Sequence, residues 1–339
     1  MTRRFMTGFE AGSLEVFDQV DYPGAWDVSA LIARNGNYSA GIPSSVAAPH
    51  LWWYPQPPYV DEYYIRLGVY AVGGRVDRVF FSVYDGKSPQ LTFWTPAGAL
   101  GPIRVSRGGE GGTLLGEGGN LIGATWVCLE IHVLIHDANG VVEVKVDGTE
   151  VISFTGNTRN TATSQITALV IGANSTGGEM LFAYFDDFVV NDTSGTVNNS
   201  WPGRGGIYPA VPVGLGAYAE FTPLAGANWE NVAEIPPDDD TSYVESNVYE
   251  HQDLYVTGGI APPDGTITAV QLCHRAKLAD VGIGNLRPLV RHGGVDYVGP
   301  DKAVDASYRG IRHIMERAPD DSAWSVAKVN GLQIGQQVG

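Results

Sequence analysis

The chain has 339 residues, a length that fits about two ordinary domains. Its 44 glycines, 20 prolines and low charged fraction of 17% are typical of many short strands joined by tight turns. The net charge of −16 repels phosphate backbones and excludes nucleic acid as a partner. No apolar run approaches the ~20 residues of a membrane span, and no apolar segment follows Arg3 and Arg4, so we expect neither a membrane anchor nor a signal peptide.

The first predicted strands lie at residues 63–70, 78–84 and 90–94, where apolar and β-branched residues are dense and turn residues separate the runs. Residues 107–120 (RGGEGGTLLGEGGN) are rich in glycine. We predict that this stretch is an exposed loop or the tip of a hairpin.

A clear alternation begins at Val127, where the odd positions up to Ile135 are apolar and the even ones are mostly polar. This period of two predicts a half-buried strand, and the run after the turn at 137–140 completes a hairpin. His132 and His136 fall on the outward face of that strand, with Cα atoms ~13 Å apart. Because this separation is too large for one metal ion, we interpret both as exposed surface histidines.

The chain divides into three predicted zones: a domain at 1–192, a linker rich in proline and glycine at 193–216, and a β-domain at 217–339. Helical periodicity is nearly absent. The one short helix that we predict lies at 322–330, with Ser322 as its N-cap. Many closely spaced strands without crossover helices favour antiparallel sheets packed as a sandwich.

Residues 126–192 contain a tryptophan that opens a strand, a hairpin with a VDG turn, and the closing strand FAYFDDFVVND. This pattern resembles the laminin-G/concanavalin-A-like jelly-roll superfamily, and TGFEAGS at 7–13 fits the first strand of such domains. We extend the resemblance over 5–192. The predicted fold class is therefore all-β: an antiparallel β-sandwich, the concanavalin-A-like jelly roll, plus a second, smaller β-sandwich domain.

The third zone contains NWENVAEIPPDDDTSYVES, ITAVQLCHRAK and the ending WSVAKVNGLQIGQQVG. These segments resemble small β-domains of uncharacterised phage virion proteins. The resemblance implies a non-enzymatic structural protein on the outer surface of a particle, as a head decoration or a head or tail fibre. Its partners would be capsid or tail proteins and further copies of itself, and assembly would occur in the host cytoplasm.

Carboxylate pairs matter here because the jelly-roll fold also houses glycoside hydrolases, which need two carboxyl groups about 5–10 Å apart. Glu130 and Glu143 stand alone on their strands, and the adjacent Asp186 and Asp187 should point to opposite faces. We therefore predict no catalytic residues and no enzymatic activity.

Calcium is the one cofactor that the resemblance suggests, because laminin-G-like domains often bind it through carboxylates at the sandwich rim. The candidate ligands are Asp186, Asp238, Asp239 and Asp240. The run of three aspartates follows two prolines, however, and exposed aspartates are ordinary in such a turn.

Four aromatic residues, Trp52, Trp53, Tyr54 and Tyr59, lie in a proline-rich segment (APHLWWYPQPPYVDEYY). They could plug the end of the sandwich, anchor a protein interface, or stack on sugar rings. The last interpretation supports the alternative function, a glycan-binding adhesion module of a phage or secreted protein, for which calcium dependence is an option.

Overall fold

The structure of the chain is a computed structural model. It describes residues 2–42, 49–73, 78–96, 101–172, 182–262, 265–279 and 284–339. The chain forms two compact units, the first from Met1–Phe9 and Phe17–Ile207, the second from Glu10–Val16 and Tyr208–Gly339. The predicted linker at 193–216 is thus divided, since its residues up to Ile207 belong to the first unit.

In its described ranges, the first unit consists of strands β1 to β15 and a 3-10 turn at Pro23–Ala25. The strands are β1 Arg3–Thr7, β2 Gln19–Val20, β3 Asp27–Ser29, β4 Ser39–Ile42, β5 His50–Trp53, β6 Glu62–Gly73, β7 Arg78–Asp85, β8 Ser88–Thr95, β9 Pro102–Arg107, β10 Thr113–Asn120, β11 Trp126–Leu134, β12 Gly140–Val146, β13 Thr149–Gly156, β14 Ala168–Gly172 and β15 Phe182–Asn191. They form two antiparallel sheets. The eight-stranded sheet has the order β13-β12-β11-β6-β15-β4-β3, with β1 also paired to β15, and the seven-stranded sheet has the order β10-β9-β8-β7-β14-β5-β2.

The two sheets pack face to face around an apolar core. Leu129, Ile131 and Val133 on β11 are fully buried, as the alternation predicts. Aromatic rings join the layers: Phe5 on β1 lies 5.4 Å from Trp53 on β5, measured between ring centroids. The predicted all-β sandwich is confirmed.

The glycine-rich stretch is not a loop throughout, because its second half is the edge strand β10, paired with β9. The glycines let this edge approach the edge strand β13 of the other sheet. A Cβ atom on Gly118 would lie 2.0 Å from the carbonyl oxygen of Val151, and one on Gly116 would lie 2.6 Å from the Ile152 side chain. At Gly118 only glycine allows this contact between the two backbones.

Within its described residues, the second unit consists of strands β16 to β25, a 3-10 turn at Asn228–Asn231 and one helix. The elements are β16 Pro212–Ala219, β17 Thr222–Pro223, β18 Val244–Glu245, β19 Gln252–Thr257, β20 Val270–Ala276, β21 Gly284–His292, β22 Val295–Val298, β23 Lys302–Val304, β24 Arg309–Met315, α1 Val326–Asn330 and β25 Gln333–Val338. One sheet has the order β16-β19-β25-β21-β22, with β23 paired to β21. The pairs β17-β18 and β20-β24 form two smaller sheets.

Helix α1 is shorter than the helix predicted at 322–330. Its N-cap is Ser325, whose hydroxyl accepts a hydrogen bond from the Lys328 amide at 3.2 Å. Ser322 lies outside the helix, where its amide donates to Asp320. Within the described residues, no helix is long and apolar enough to cross a membrane.

Candidate functional site

The structure separates the four aromatic residues of the proline-rich segment. Successive side chains of β5 alternate, so Trp53 points into the sandwich with only 5% of its surface exposed, 6.0 Å from the Tyr63 ring. Trp52 points to the outer face of the seven-stranded sheet. Tyr59 lies beyond the strand and is 39% exposed. Trp53 is therefore a core residue, while the other three remain available at the surface.

Four residues form what we call the aromatic patch on this outer face: His50, Trp52, Tyr54 and Tyr84. The Trp52 ring lies 6.0 Å from Tyr54 with the planes nearly parallel, 5.1 Å from Tyr84 and 5.8 Å from His50. Tyr84 belongs to β7, and β14 lies between it and Trp52. The rings of Trp52 and Tyr84 still meet, because the outward residues of β14 between them are the small Ala168 and the medium-sized Val170. The two rings cover both of these residues.

Residues 18–21, which precede β3, hold the patch in place from one side. Asp21 accepts hydrogen bonds from the Trp52 indole nitrogen at 2.7 Å and from the Gln19 amide at 2.6 Å. Asp18 accepts from the Tyr54 backbone amide at 2.7 Å, and the Tyr54 hydroxyl donates to Gln19 at 2.9 Å. These bonds hold the rings in place while Trp52, Tyr54 and Tyr84 stay half-buried, with part of each ring open to solvent.

Two charge states in the patch follow from these contacts. Burial opposes ionisation of Asp21, yet the hydrogen bonds from Gln19 and Trp52 outweigh it and hold the pKa of Asp21 below its ordinary value. Burial lowers the pKa of His50 in spite of the Asp21 carboxylate 3.5 Å away. At neutral pH an ionised Asp21 therefore lies at the edge of the patch beside the neutral imidazole of His50.

The same face continues across the sheet as a row of small polar side chains in register with Trp52. The row runs through Ser82, Thr92 and Ser106, all nearly buried. Ser106 accepts a hydrogen bond from the Trp94 indole nitrogen at 3.0 Å. These hydroxyl groups are nearly buried, whereas the rings of the aromatic patch are partly open to solvent.

The calcium candidates are engaged by the protein itself. Asp238 accepts from Ser242, Asp239 forms an ion pair with Arg275, and Asp240 accepts from Lys277 and from the Tyr308 hydroxyl. Asp186 accepts from three backbone amides, those of Arg34, Asn35 and Asp187. Across the described part of the chain, no group of three His, Cys, Asp or Glu side chains is arranged to hold a metal ion. Calcium binding stays a prediction.

Asp186 and Asp187 do not point to opposite faces as predicted. The pairing of β15 with β6 shifts between Asp186 and Val189, and Asp187 has a positive φ of 52°. This β-bulge turns both carboxylates toward the same loop: Asp186 accepts from the Arg34 amide, and Asp187 pairs with the Arg34 guanidinium at 2.6 Å.

The prediction for His132 is also wrong. It lies on the outward face of β11, but residues 199–207, which we call the covering segment, cross that face. His132 contacts Glu143 at 2.9 Å and Glu62 at 2.8 Å, stacks on Tyr64 with centroids 4.1 Å apart, and meets the edge of Trp201. The in–out alternation located the face correctly, but it could not show that the face is covered. His136 comes closer to its prediction, since 43% of its side-chain surface is exposed.

The covering segment supplies hydrogen bonds to a buried polar cluster, Arg66, Glu130 and Asp187, that the sequence did not reveal. Gly203 donates its amide to Glu130 at 2.8 Å, and its carbonyl accepts from Arg66 at 3.3 Å. The Ile207 amide donates to Asp187 at 2.7 Å. The one available signal in the sequence was Trp201, a large aromatic residue in the predicted linker. In the structure the Lys145 ammonium lies over its ring, 3.6 Å from the centroid. Because these side chains are buried and hydrogen-bonded to the covering segment, we assign the cluster a structural role.

No protein-family model matches the sequence, and no curated protein matches it. Solved structures do. The alginate lyase Aly36B matches with a TM-score of 0.37 at 13% identity, covering 57% of this chain and 93% of the lyase. Domain 4 of the extracellular arabinanase AbnA from Geobacillus stearothermophilus, in complex with arabinotriose, gives 0.37 at 16% identity, with coverage of 56% and 92%. Alginate lyase vAL-1 from Chlorella virus gives 0.33 at 11%, with coverage of 52% and 99%. The similarity is one of fold.

These comparisons contradict two predictions from the sequence. The prediction of a structural virion protein is wrong, since the similar structures are two alginate lyases and an arabinanase domain and lend no support to a phage relationship. The exclusion of enzymatic activity is wrong as well, since two of the three similar structures are alginate lyases. Both predictions depended on a rigid scaffold without an evident reactive centre, and strand alternation specifies the layers of a sandwich but not what its outer faces bind.

Proposed function

We propose that the first unit is a concanavalin-A/laminin-G-like jelly roll that binds carbohydrate through the aromatic patch. The observation that carries the proposal is the partly open indole ring of Trp52. It lies between the rings of Tyr54 and Tyr84, and the Asp21 carboxylate holds it from its edge.

A sugar ring presents two kinds of surface, and the patch has a counterpart for each. The C–H groups of a pyranose or furanose ring form an apolar face that packs on an aromatic ring. The hydroxyl groups at its rim need hydrogen-bond partners, and the Asp21 carboxylate, the His50 imidazole and the Tyr84 hydroxyl can supply acceptors and donors. Because neighbouring residues already fix the rings, binding loses little side-chain entropy.

The test is equilibrium binding of the full chain to soluble polysaccharides, by affinity electrophoresis and by isothermal titration calorimetry. Trp52→Ala removes the central ring, and we expect binding to weaken roughly tenfold or more, the loss typical of a well-packed aromatic anchor. Trp52→Phe keeps a ring but loses the indole donor, so we expect it to retain most of the affinity.

Tyr59→Ala is the matched control, because Tyr59 is an exposed aromatic residue of the same segment that lies outside the patch. Its affinity should equal that of the unmodified chain. Thermal melting of each variant distinguishes lost binding from lost folding. A chain that binds no polysaccharide, or a Trp52→Ala variant that folds and binds normally, would refute the proposal.

A further inference from the structure

We propose that the aromatic patch selects uncharged glycans and rejects polymers that carry carboxylates, and that Asp21 is the residue that sets this selectivity. The inference rests on the carbohydrate binding proposed above. It concerns the chemical class of the sugar, which the rings alone do not determine, since uronic acids and neutral sugars offer similar apolar faces.

The first support is the placement of two carboxylates at the edge of the ring surface. Asp21 lies 2.7 Å from the indole nitrogen of Trp52, and Asp18, an exposed residue, lies 2.7 Å from the backbone nitrogen of Tyr54. Both negative charges act on the Tyr54 phenol: after burial, they are the causes that raise its pKa. A sugar stacked on Trp52 would lie within the field of these carboxylates.

The second support is that, in the described part of the chain, no lysine or arginine lies over the rings of the patch to offset this charge. Within the described residues, lysine or arginine lies over the rings of Trp94, Trp201, Tyr308, Tyr249 and Tyr218, and over no ring of the patch. His50, the one basic side chain of the patch, is neutral at neutral pH because burial lowers its pKa. On the same face, Arg104 forms an ion pair with Glu117.

Neutral and anionic sugars then differ in how they interact with Asp21. A hydroxyl group of a neutral sugar can donate to the ionised Asp21 in a charge-assisted hydrogen bond. A uronate or sialate offers the same hydroxyls but adds a negative charge a few ångströms from Asp21. For two like charges in a half-exposed site, that repulsion weakens binding on the order of tenfold.

The test uses the full chain and a pair of polymers with the same sugar backbone, polygalacturonate and its uncharged methyl ester. Neutral arabinan and galactan serve as further ligands, and alginate as a second polyanion. We expect the neutral polymers to bind roughly tenfold or more tightly than the polyanions. Asp21→Asn should reduce the difference in affinity between the neutral polymers and the polyanions. Asp27→Asn, which removes an exposed carboxylate on the eight-stranded sheet, should leave it unchanged.

Three results would overturn the inference, and each is distinguishable. Equal or tighter binding of the polyanions would refute the selectivity while leaving carbohydrate binding in place. A neutral preference that Asp21→Asn does not narrow, in a variant that melts normally, would refute the role of Asp21. Failure to bind any neutral or charged polymer would remove the proposed function itself.

Discussion

The buried ion pair between Asp187 and Arg34 offers the sharpest test of how the first unit is held together. The Asp187 carboxylate is fully buried and the Arg34 side chain is 14% exposed. The same carboxylate accepts from the Ile207 amide of the covering segment at 2.7 Å and from the Asn35 side chain at 2.7 Å. Asp187→Asn removes the charge but keeps the shape, and asparagine tolerates the positive φ at this position.

The expected loss in unfolding free energy depends on the hydrogen bonds that Arg34 keeps after the substitution. Breaking a buried ion pair by removing one member costs about 3–5 kcal/mol, because the other charge stays buried without its partner. Arg34 retains hydrogen bonds to the Arg204 and Gly205 carbonyls, at 3.0 and 3.1 Å, which offset part of the loss. We therefore expect the free energy of unfolding to fall by about 2–4 kcal/mol.

Urea unfolding followed by tryptophan fluorescence measures this change. The matched control is Asp137→Asn, which breaks a pair with Arg159 in which both side chains are substantially exposed, 50% and 32%. Exposed pairs contribute about 0–1 kcal/mol, so the control should lose little. Equal losses in the two variants would contradict the structural role of the buried cluster.

The covering segment and the buried carboxylate of Asp186 give two more predictions. Trp201 packs edge-on against His132, so we expect Trp201→Ala to cost about 1–3 kcal/mol and to speed hydrogen exchange at the Gly203 and Ile207 amides. Unchanged exchange would show that Trp201 does not hold the segment. Burial, and after it the adjacent carboxylate, raises the pKa of Asp186 to about 8. The folded state thus keeps a proton that the unfolded state releases, so between pH of about 4 and 8 Asp186→Asn should become progressively more stable relative to the unmodified chain. A constant difference in unfolding free energy across that range would contradict the raised pKa.

The sequence predicted the layers of the fold well, because the inward and outward positions of a strand depend on a local period of two. From Val127 to Ile135 every odd residue is buried, as the alternation indicates. The same rule failed where the backbone departs from that period. The bulge at Asp187 changes which side the next carboxylate reaches, and no residue type marks it in advance.

The candidate site was predictable only in part. The sequence drew attention to Trp52 and Tyr54, but it could not say that Trp53, rather than Trp52, enters the core. Two further members of the patch depend on long-range contacts: Tyr84 comes from another strand, and Asp21 lies 31 positions before Trp52. Such contacts depend on sheet order, which a local pattern does not determine.

Residue-resolved hydroxyl-radical footprinting, read by mass spectrometry, tests the central claim most directly. The full chain is labelled alone and then saturated with a neutral polysaccharide that it binds. We expect labelling of Trp52, Tyr54 and Tyr84 to fall while that of Tyr59 stays the same. Unchanged labelling of the three patch residues in the bound state would contradict the account, because the sugar would then lie elsewhere.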